Sequence, residues 1–102
     1  MEELLTMLNG LKIIQKSFEF EEDLPEEIVD KYFKNRIASD LLPDSHRWYE
    51  TSISVFEIDE GYLGVRALTQ LYSEYSEVKD CYHVLKFYDM AEKSIITYVP
   101  KQ

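Results

Sequence analysis

The stretch HRWYETSISVFEIDEGYLGVRALTQLYSE, residues 46–74, decides the fold of this 102-residue chain. Apolar and polar residues alternate on both sides of Asp59-Glu60-Gly61, and a period of two is typical of strands with one buried face. Gly61 supplies the positive φ that a tight hairpin needs. The stretch therefore predicts an antiparallel hairpin with strands over 47–58 and 62–73. One face of the second strand would carry Leu63, Val65, Ala67, Thr69 and Leu71, and the other Tyr62, Gly64, Arg66, Leu68, Gln70 and Tyr72.

The sequence on either side of the hairpin predicts helices before it and further strands after it. Residues 2–9 place leucines along one side of a helix that Gly10 would end. Pro25 suits the start of a second helix, and apolar residues continue at helical spacing to Ile37, which predicts a helix over 25–38. Alternation over 81–89 and 94–99 predicts two more strands, and alternation over 11–20 predicts a fifth. The expected fold is a single α+β domain over 1–102, an antiparallel meander of four to five strands with both helices packed on one face.

Acidic residues are concentrated near the N-terminal end. The chain carries 20 acids against 11 bases, a net charge of −9. Within residues 19–30, 7 of 12 residues are acids and none is basic. Direct nucleic-acid binding needs a positive surface, so a basic protein surface is the better expected partner. The alternative is that part of the run complements a helix dipole and the rest is solvated. The candidate contact residues are Glu19, Glu21, Glu22, Asp23, Glu26 and Glu27.

Tyrosines recur on the predicted strands and suggest a second contact surface. With helices covering one face of the sheet, the other face is expected to be free for solvent or a partner. Tyrosine offers a large rigid contact area at low entropic cost. The alternative is that these tyrosines simply suit strands and cross-strand pairs. The candidates are Tyr62, Tyr72, Tyr82 and Tyr88, with Arg66 and Lys86 beside them.

Residues that could support catalysis or bind a metal are few. Cys81 and His83 lie two apart on a predicted strand, but a zinc site needs a further pair of ligands, and only His46 and scattered carboxylates are left. Asp80 beside Cys81 disfavours a reactive thiolate. No glycine-rich phosphate loop, GxSxG or HExxH motif occurs. The sequence therefore predicts a protein that is not an enzyme, with no catalytic residue, no metal and no cofactor.

The lone cysteine, the acidic N-terminus and the lack of a long apolar run predict a cytoplasmic location and no membrane contact.

Several short motifs carry a resemblance that covers most of the chain. They are EEDLPEE at 21–27, HRWYE at 46–50, VF at 55–56, GYLGV at 61–65, LYSE at 71–74 and DC at 80–81. In these the chain resembles small acidic uncharacterised proteins of phages and prophages of Gram-positive bacteria. The resemblance implies an anti-defence factor of the anti-CRISPR kind, which acts by stoichiometric binding in the cytoplasm of the host cell. The expected function is a phage-encoded, non-enzymatic inhibitor that mimics DNA and binds a basic, nucleic-acid-binding surface of a host defence protein such as a CRISPR Cas effector. The alternative is a structural or regulatory phage protein that self-assembles through its sheet face, as a homodimer for example.

Overall fold

The computed structural model, which describes residues 1–72, 83–92 and 100–101, is an α+β fold with helices in the N-terminal part and strands after them. The strands pair in chain order, each antiparallel to the next. The predicted fold class, an antiparallel meander with helices from the N-terminal half, is confirmed. Within the described residues the helices are α1 (Glu2–Gly10) and α2 (Glu26–Tyr32), with a 3-10 helix over Phe20–Asp23 between them, and the strands are β1 (Arg36–Ser45), β2 (Tyr49–Ile58), β3 (Gly61–Leu71) and β4 (Lys86–Met90).

The hairpin of β2 and β3 forms where the alternation predicts it. Ile58 pairs with Gly61 across the two-residue turn, and Gly61 has a φ of 139°. A residue with a side chain rarely adopts this φ, so the glycine permits the turn. The two strands then stay in register from Ile58 back to Thr51.

One face of the sheet and the helices enclose the main core. Phe33, which follows α2, meets Phe56 of β2 edge to face, with ring centroids 5.0 Å apart. Phe20 of the 3-10 helix contacts both of these rings at centroid distances of 5.9 and 6.0 Å. The helices therefore cover one face, as predicted. The buried residues of this core are Leu4, Leu8, Phe20, Leu24, Phe33, Phe56, Leu63, Val65, Ala67, Leu85 and Phe87.

The predicted helix over 25–38 is wrong in its last six residues. α2 ends at Tyr32, and residues from Arg36 onward form β1, which pairs with β2. Phe33 packs into the core after the last turn of α2, whereas Ile37 is 47% exposed. The helical spacing of apolar residues therefore continues in the sequence beyond the end of the helix. Pairing with the outer edge of β2 overrides the local helical propensity there.

β1 is an irregular edge strand. Its register with β2 shifts three times, and Asp40 and Leu42 have positive φ values of 57° and 45°. Such bulges bend a strand and increase its twist. Pro43 also lies in this strand and has no N–H to offer a further strand. These features protect this edge of the sheet from pairing with another chain.

The predicted strand over 11–20 is reduced to a single bridge between Ile14 and Val84. Gln15 N–H donates to the carbonyl of His83, and Leu85 N–H donates to the carbonyl of Ile13, both at 2.9 Å. Pairing stops there because the chain turns into the 3-10 helix at Phe20. The described part of the predicted 81–89 strand is β4 and this bridge, whereas the predicted 94–99 strand lies outside the described residues.

Two amide side chains complete the sheet edge at β4. The fully buried Gln15 accepts from Leu68 N–H at 2.8 Å and donates to the carbonyl of Leu68 at 3.3 Å. The side chain of Asn9 likewise accepts from the N–H of Phe87 at 3.0 Å and donates to the carbonyl of Phe87 at 3.2 Å. Each amide thus stands in for a missing strand residue and satisfies backbone groups that would otherwise be unpaired.

Candidate functional site

The acidic segment, residues 19–30, lies on the helix-covered side of the sheet. Phe20 and Leu24 are buried in the core and fix the segment at two points. Because these anchors point inward, the charged side chains around them point outward. Four of the predicted contact residues are exposed: Glu19, Glu22, Glu26 and Glu27, which we call the acidic patch.

The other two predicted acids have partners inside the chain. Asp23 accepts hydrogen bonds from the backbone N–H groups of Lys16 (2.8 Å) and Ser17 (3.0 Å), so it fixes the loop before the 3-10 helix. Glu21 forms an ion pair with Arg36 of β1, whose guanidinium lies over the rings of Phe20 and Phe56. Both acids contribute to the fold and leave less negative charge for a partner. The sequence could not show this, because the position of Arg36 depends on β1.

The acidic patch forms no ion pair within the part of the chain that the structure describes. The ion pairs there are Arg36 with Glu21 and Lys34 with Asp30, and neither involves the patch. Glu26 and Glu27 lie in the first turn of α2 and interact favourably with its dipole, a term of about 0.3–1 kcal/mol. Glu19 and Glu22 lie outside that helix, so the dipole does not explain the whole patch.

A groove near the N-terminus of α1 adds apolar surface to the same side. It measures about 320 Å³. Glu3 of α1 and Glu60 of the hairpin turn bring two carboxylates to it from distant parts of the sequence. This groove could not be predicted from the sequence, because no local pattern connects these residues. Its lining residues are Met1, Glu3, Leu4, Met7, Tyr32 and Glu60.

The predicted tyrosine surface is divided between the two faces of the sheet. Tyr62 lies opposite Met90, and Tyr88 lies opposite Gly64, so these two tyrosines share the second face, the one that α1 and α2 do not cover. Both are half-buried. Ile53 and Val55 on the same face are only 4% and 6% exposed, so this face is closed along β2. Tyr82 lies outside the described residues.

Tyr72 lies on the opposite face from Tyr62, because β3 contains a bulge. Thr51 pairs with Leu68 and Glu50 with Gln70, which leaves Thr69 as an extra residue. An extra residue reverses the alternation beyond it, so Gln70 and Tyr72 point to the helix side. The Tyr72 hydroxyl donates to a carboxylate oxygen of Glu50 at 2.8 Å, and this hydrogen bond raises the pKa of Tyr72 above its ordinary value. The predicted common face of Tyr62, Gln70 and Tyr72 is therefore wrong.

Metal ligands are not grouped in the described part of the chain. No three His, Cys, Asp or Glu side chains come together there, and Cys81 is not among the residues described.

No helix of the described ranges is both long and apolar enough to cross a bilayer.

Comparisons with known proteins gave no match, whether against family models, curated protein sequences or solved structures.

Proposed function

We propose that this chain is a non-enzymatic binding protein that docks through its helix-covered side on a basic surface of another protein. The observation that carries the proposal is the acidic patch. Glu19, Glu22, Glu26 and Glu27 are exposed without a described counter-ion, on a segment that Phe20 and Leu24 anchor in the core. Because the core anchors this segment at two points, its backbone loses little entropy when a partner's cations approach.

The acidic patch would steer the partner, and the groove would hold it. Charges of one sign raise association rates towards an oppositely charged surface. A Lys or Arg side chain has an aliphatic stem that can lie along apolar residues while its charged head reaches a carboxylate. Met1, Met7 and Tyr32 offer such a wall, and Glu3 and Glu60 offer the carboxylates.

Among basic protein surfaces, those that bind nucleic acid fit best, because they are built to receive rows of negative charge. The resemblance to phage proteins favours a host defence protein as the partner, and a Cas effector is the most specific candidate. In that setting the acidic patch would take the place of phosphates and inhibit by occupying their groove. The half-buried Tyr62 and Tyr88 lie on the other face of the sheet, so a partner on the helix side would not need them.

The test compares two variants with the same change in net charge. The patch variant replaces Glu19, Glu22, Glu26 and Glu27 with Lys. The control variant replaces four exposed acids elsewhere, Glu2, Glu57, Asp89 and Glu92, with Lys. Each protein is used to capture partners from an extract of the bacterial host, after circular dichroism has shown that it folds. We expect the wild type and the control to retain the same basic protein and the patch variant to lose it.

Kinetics with the captured partner then test the mechanism. At low salt the patch variant should associate with the partner at least about tenfold more slowly than the wild type. The association rate of the wild type should fall as salt is added. Association that is independent of salt and of the reversal would overturn the proposal. A mass that rises with protein concentration, with no partner retained, would instead support the alternative of self-assembly through the sheet.

A further inference from the structure

A cavity on the second face of the sheet gathers positive charge in a chain that is otherwise strongly acidic. Its volume is about 260 Å³. Arg66 of β3 and Lys86 of β4 contribute two fixed positive charges, against the single carboxylate of Asp44 among its lining residues. Three aromatic rings line it as well, those of His46, Tyr49 and His83.

The two cations are placed directly opposite each other. Arg66 and Lys86 are cross-strand partners in the β3–β4 register. Like charges at opposed positions destabilise a sheet. Neither forms an ion pair with any carboxylate in the described ranges. Because this arrangement costs stability unless a negative charge lies between the two cations, it favours the binding of an anion there.

Arg66 is held rigidly with donors left over. It donates from Nη1 to the hydroxyl of Thr51 at 2.9 Å and from Nη2 to the carbonyl of Leu42 at 3.0 Å. A guanidinium has five N–H donors, so about three remain for a ligand. The side chain of Lys86 is exposed and its ammonium has no hydrogen bond among the described residues, so its three N–H donors are free.

The rings form a wall beside these cations. His46 and Tyr49 are stacked, with centroids 4.5 Å apart and planes 14° apart, and His83 lies 6.3 Å from Tyr49. Burial lowers the pKa of His83 below its ordinary value of 6.5, and the positive charges of Lys86 and Arg66 lower it further. His83 is therefore neutral at pH 7 and leaves the positive charge to the two fixed cations.

We infer that this cavity binds the phosphate group of a small anionic ligand, between Arg66 and Lys86. The guanidinium and the ammonium together present about six free N–H donors, more than the roughly four lone-pair sites of a carboxylate can use. A phosphate group has at least three terminal oxygens and up to two charges. The source is either inorganic phosphate or a small phosphate ester such as a nucleoside monophosphate, whose base could stack on the exposed His46.

A structural role could explain Arg66 alone, because its hydrogen bonds link β3 to β2 and to β1. Lys86 cannot be explained in this way, since no described hydrogen bond or ion pair uses it. Lys86→Gln is therefore the informative variant. It removes the repulsion with Arg66, so the ligand-free protein should be at least as stable as the wild type, while phosphate binding should weaken. A merely structural lysine would not give these two opposite effects.

The experiment is calorimetric titration of the full chain with inorganic phosphate, uridine monophosphate and acetate, at pH 7.5 and constant ionic strength. We expect saturable binding of phosphate or its ester at one site and about tenfold weaker binding to Lys86→Gln. Lys31→Gln, at an exposed lysine of α2, is the control and should bind like the wild type. Amide shifts of Thr51 and Lys86 on adding phosphate would locate the site independently of any variant.

Each result of this titration decides the inference. Uridine monophosphate binding about tenfold more tightly than phosphate would identify an ester as the ligand, and equal binding would assign the site to the phosphate group alone. Absence of saturable binding, equal binding of acetate, or equal losses in Lys86→Gln and Lys31→Gln would overturn the inference.

Discussion

Replacing Gln15 with Leu tests whether a buried amide completes the sheet. Leucine is of similar size but has no polar atoms, so the volume stays nearly filled while three hydrogen bonds are lost, two to the backbone of Leu68 and one to the carbonyl of Ser17 at 2.8 Å. Both backbone groups of Leu68 lose their side-chain partner, at 2.8 Å for the N–H and 3.3 Å for the carbonyl. Gln15 is fully buried and Leu68 is 1% exposed, so water cannot replace the amide.

The expected loss of stability follows from these two orphaned groups. A buried polar group without a partner costs about 1–3 kcal/mol, so the pair costs about 2–6 kcal/mol, with about 4 kcal/mol at the middle of the range. The added apolar burial of leucine offsets about 1–2 kcal/mol of this. The free energy of unfolding should therefore fall by about 2–3 kcal/mol, which lowers the Tm of a domain of this size by at least about 8 °C.

Asn9→Leu is the matched control, measured together with Gln15→Leu by urea denaturation and thermal unfolding. Asn9 bonds both backbone groups of Phe87, but it is exposed, so water can take its place. We expect it to cost about 0.5–1.5 kcal/mol. If Gln15→Leu keeps wild-type stability, or loses no more than Asn9→Leu, the amide does not complete the sheet in the way argued above.

Two further perturbations have signs fixed by the structure, and a third tests a sequence-based prediction. Gly64→Ala would place a Cβ 2.6 Å from Cγ of Met90 and 3.2 Å from Cγ2 of Ile53, so it should destabilise by about 1–3 kcal/mol, and adding Met90→Ala should recover part of the loss in urea denaturation. The lowered pKa of His83 means that the unfolded chain binds its proton first, so its contribution to stability is present above pH 6.5 and is lost as pH falls below it. His83→Gln should therefore flatten the fall in unfolding free energy between pH 7 and 5.5, and parallel curves would contradict this. Cys81→Ser should leave partner capture and Tm unchanged, whereas loss of capture with an intact fold would give the thiol a role.

The sequence was sufficient for the β2–β3 hairpin because every local signal there agrees. Apolar residues alternate on both strands, and Gly61 stands where a positive φ is needed. α1 was equally clear, with leucines on one side and Gly10 at its end. In such segments the local pattern and the tertiary environment call for the same structure, so sequence reasoning alone finds them.

Sequence reasoning failed where the structure depends on residues far along the chain. β1 is exposed, bulged and interrupted by Pro43, so it shows no alternation, and only its pairing with β2 makes it a strand. The extra Thr69 in β3 moves Tyr72 to the other face of the sheet, and no local sequence pattern predicts this bulge. The acid-lined groove and the opposed cations at Arg66 and Lys86 likewise exist only once the strands are in register.

The net charge of −9 therefore sets the electrostatic potential at long range, but it does not give the local charge of each surface. At physiological salt the field of an exposed charge decays over about 8 Å, so acids on the helix side contribute little across the sheet. At about 4 Å, one pair of opposite charges near the protein surface is worth about 4 kcal/mol before desolvation costs. Two cations in direct contact with a phosphate thus outweigh a distant acidic patch. For the same reason, we expect the proposed phosphate ligand on the second face and the proposed basic protein on the helix side to bind independently, because the sheet separates the two surfaces.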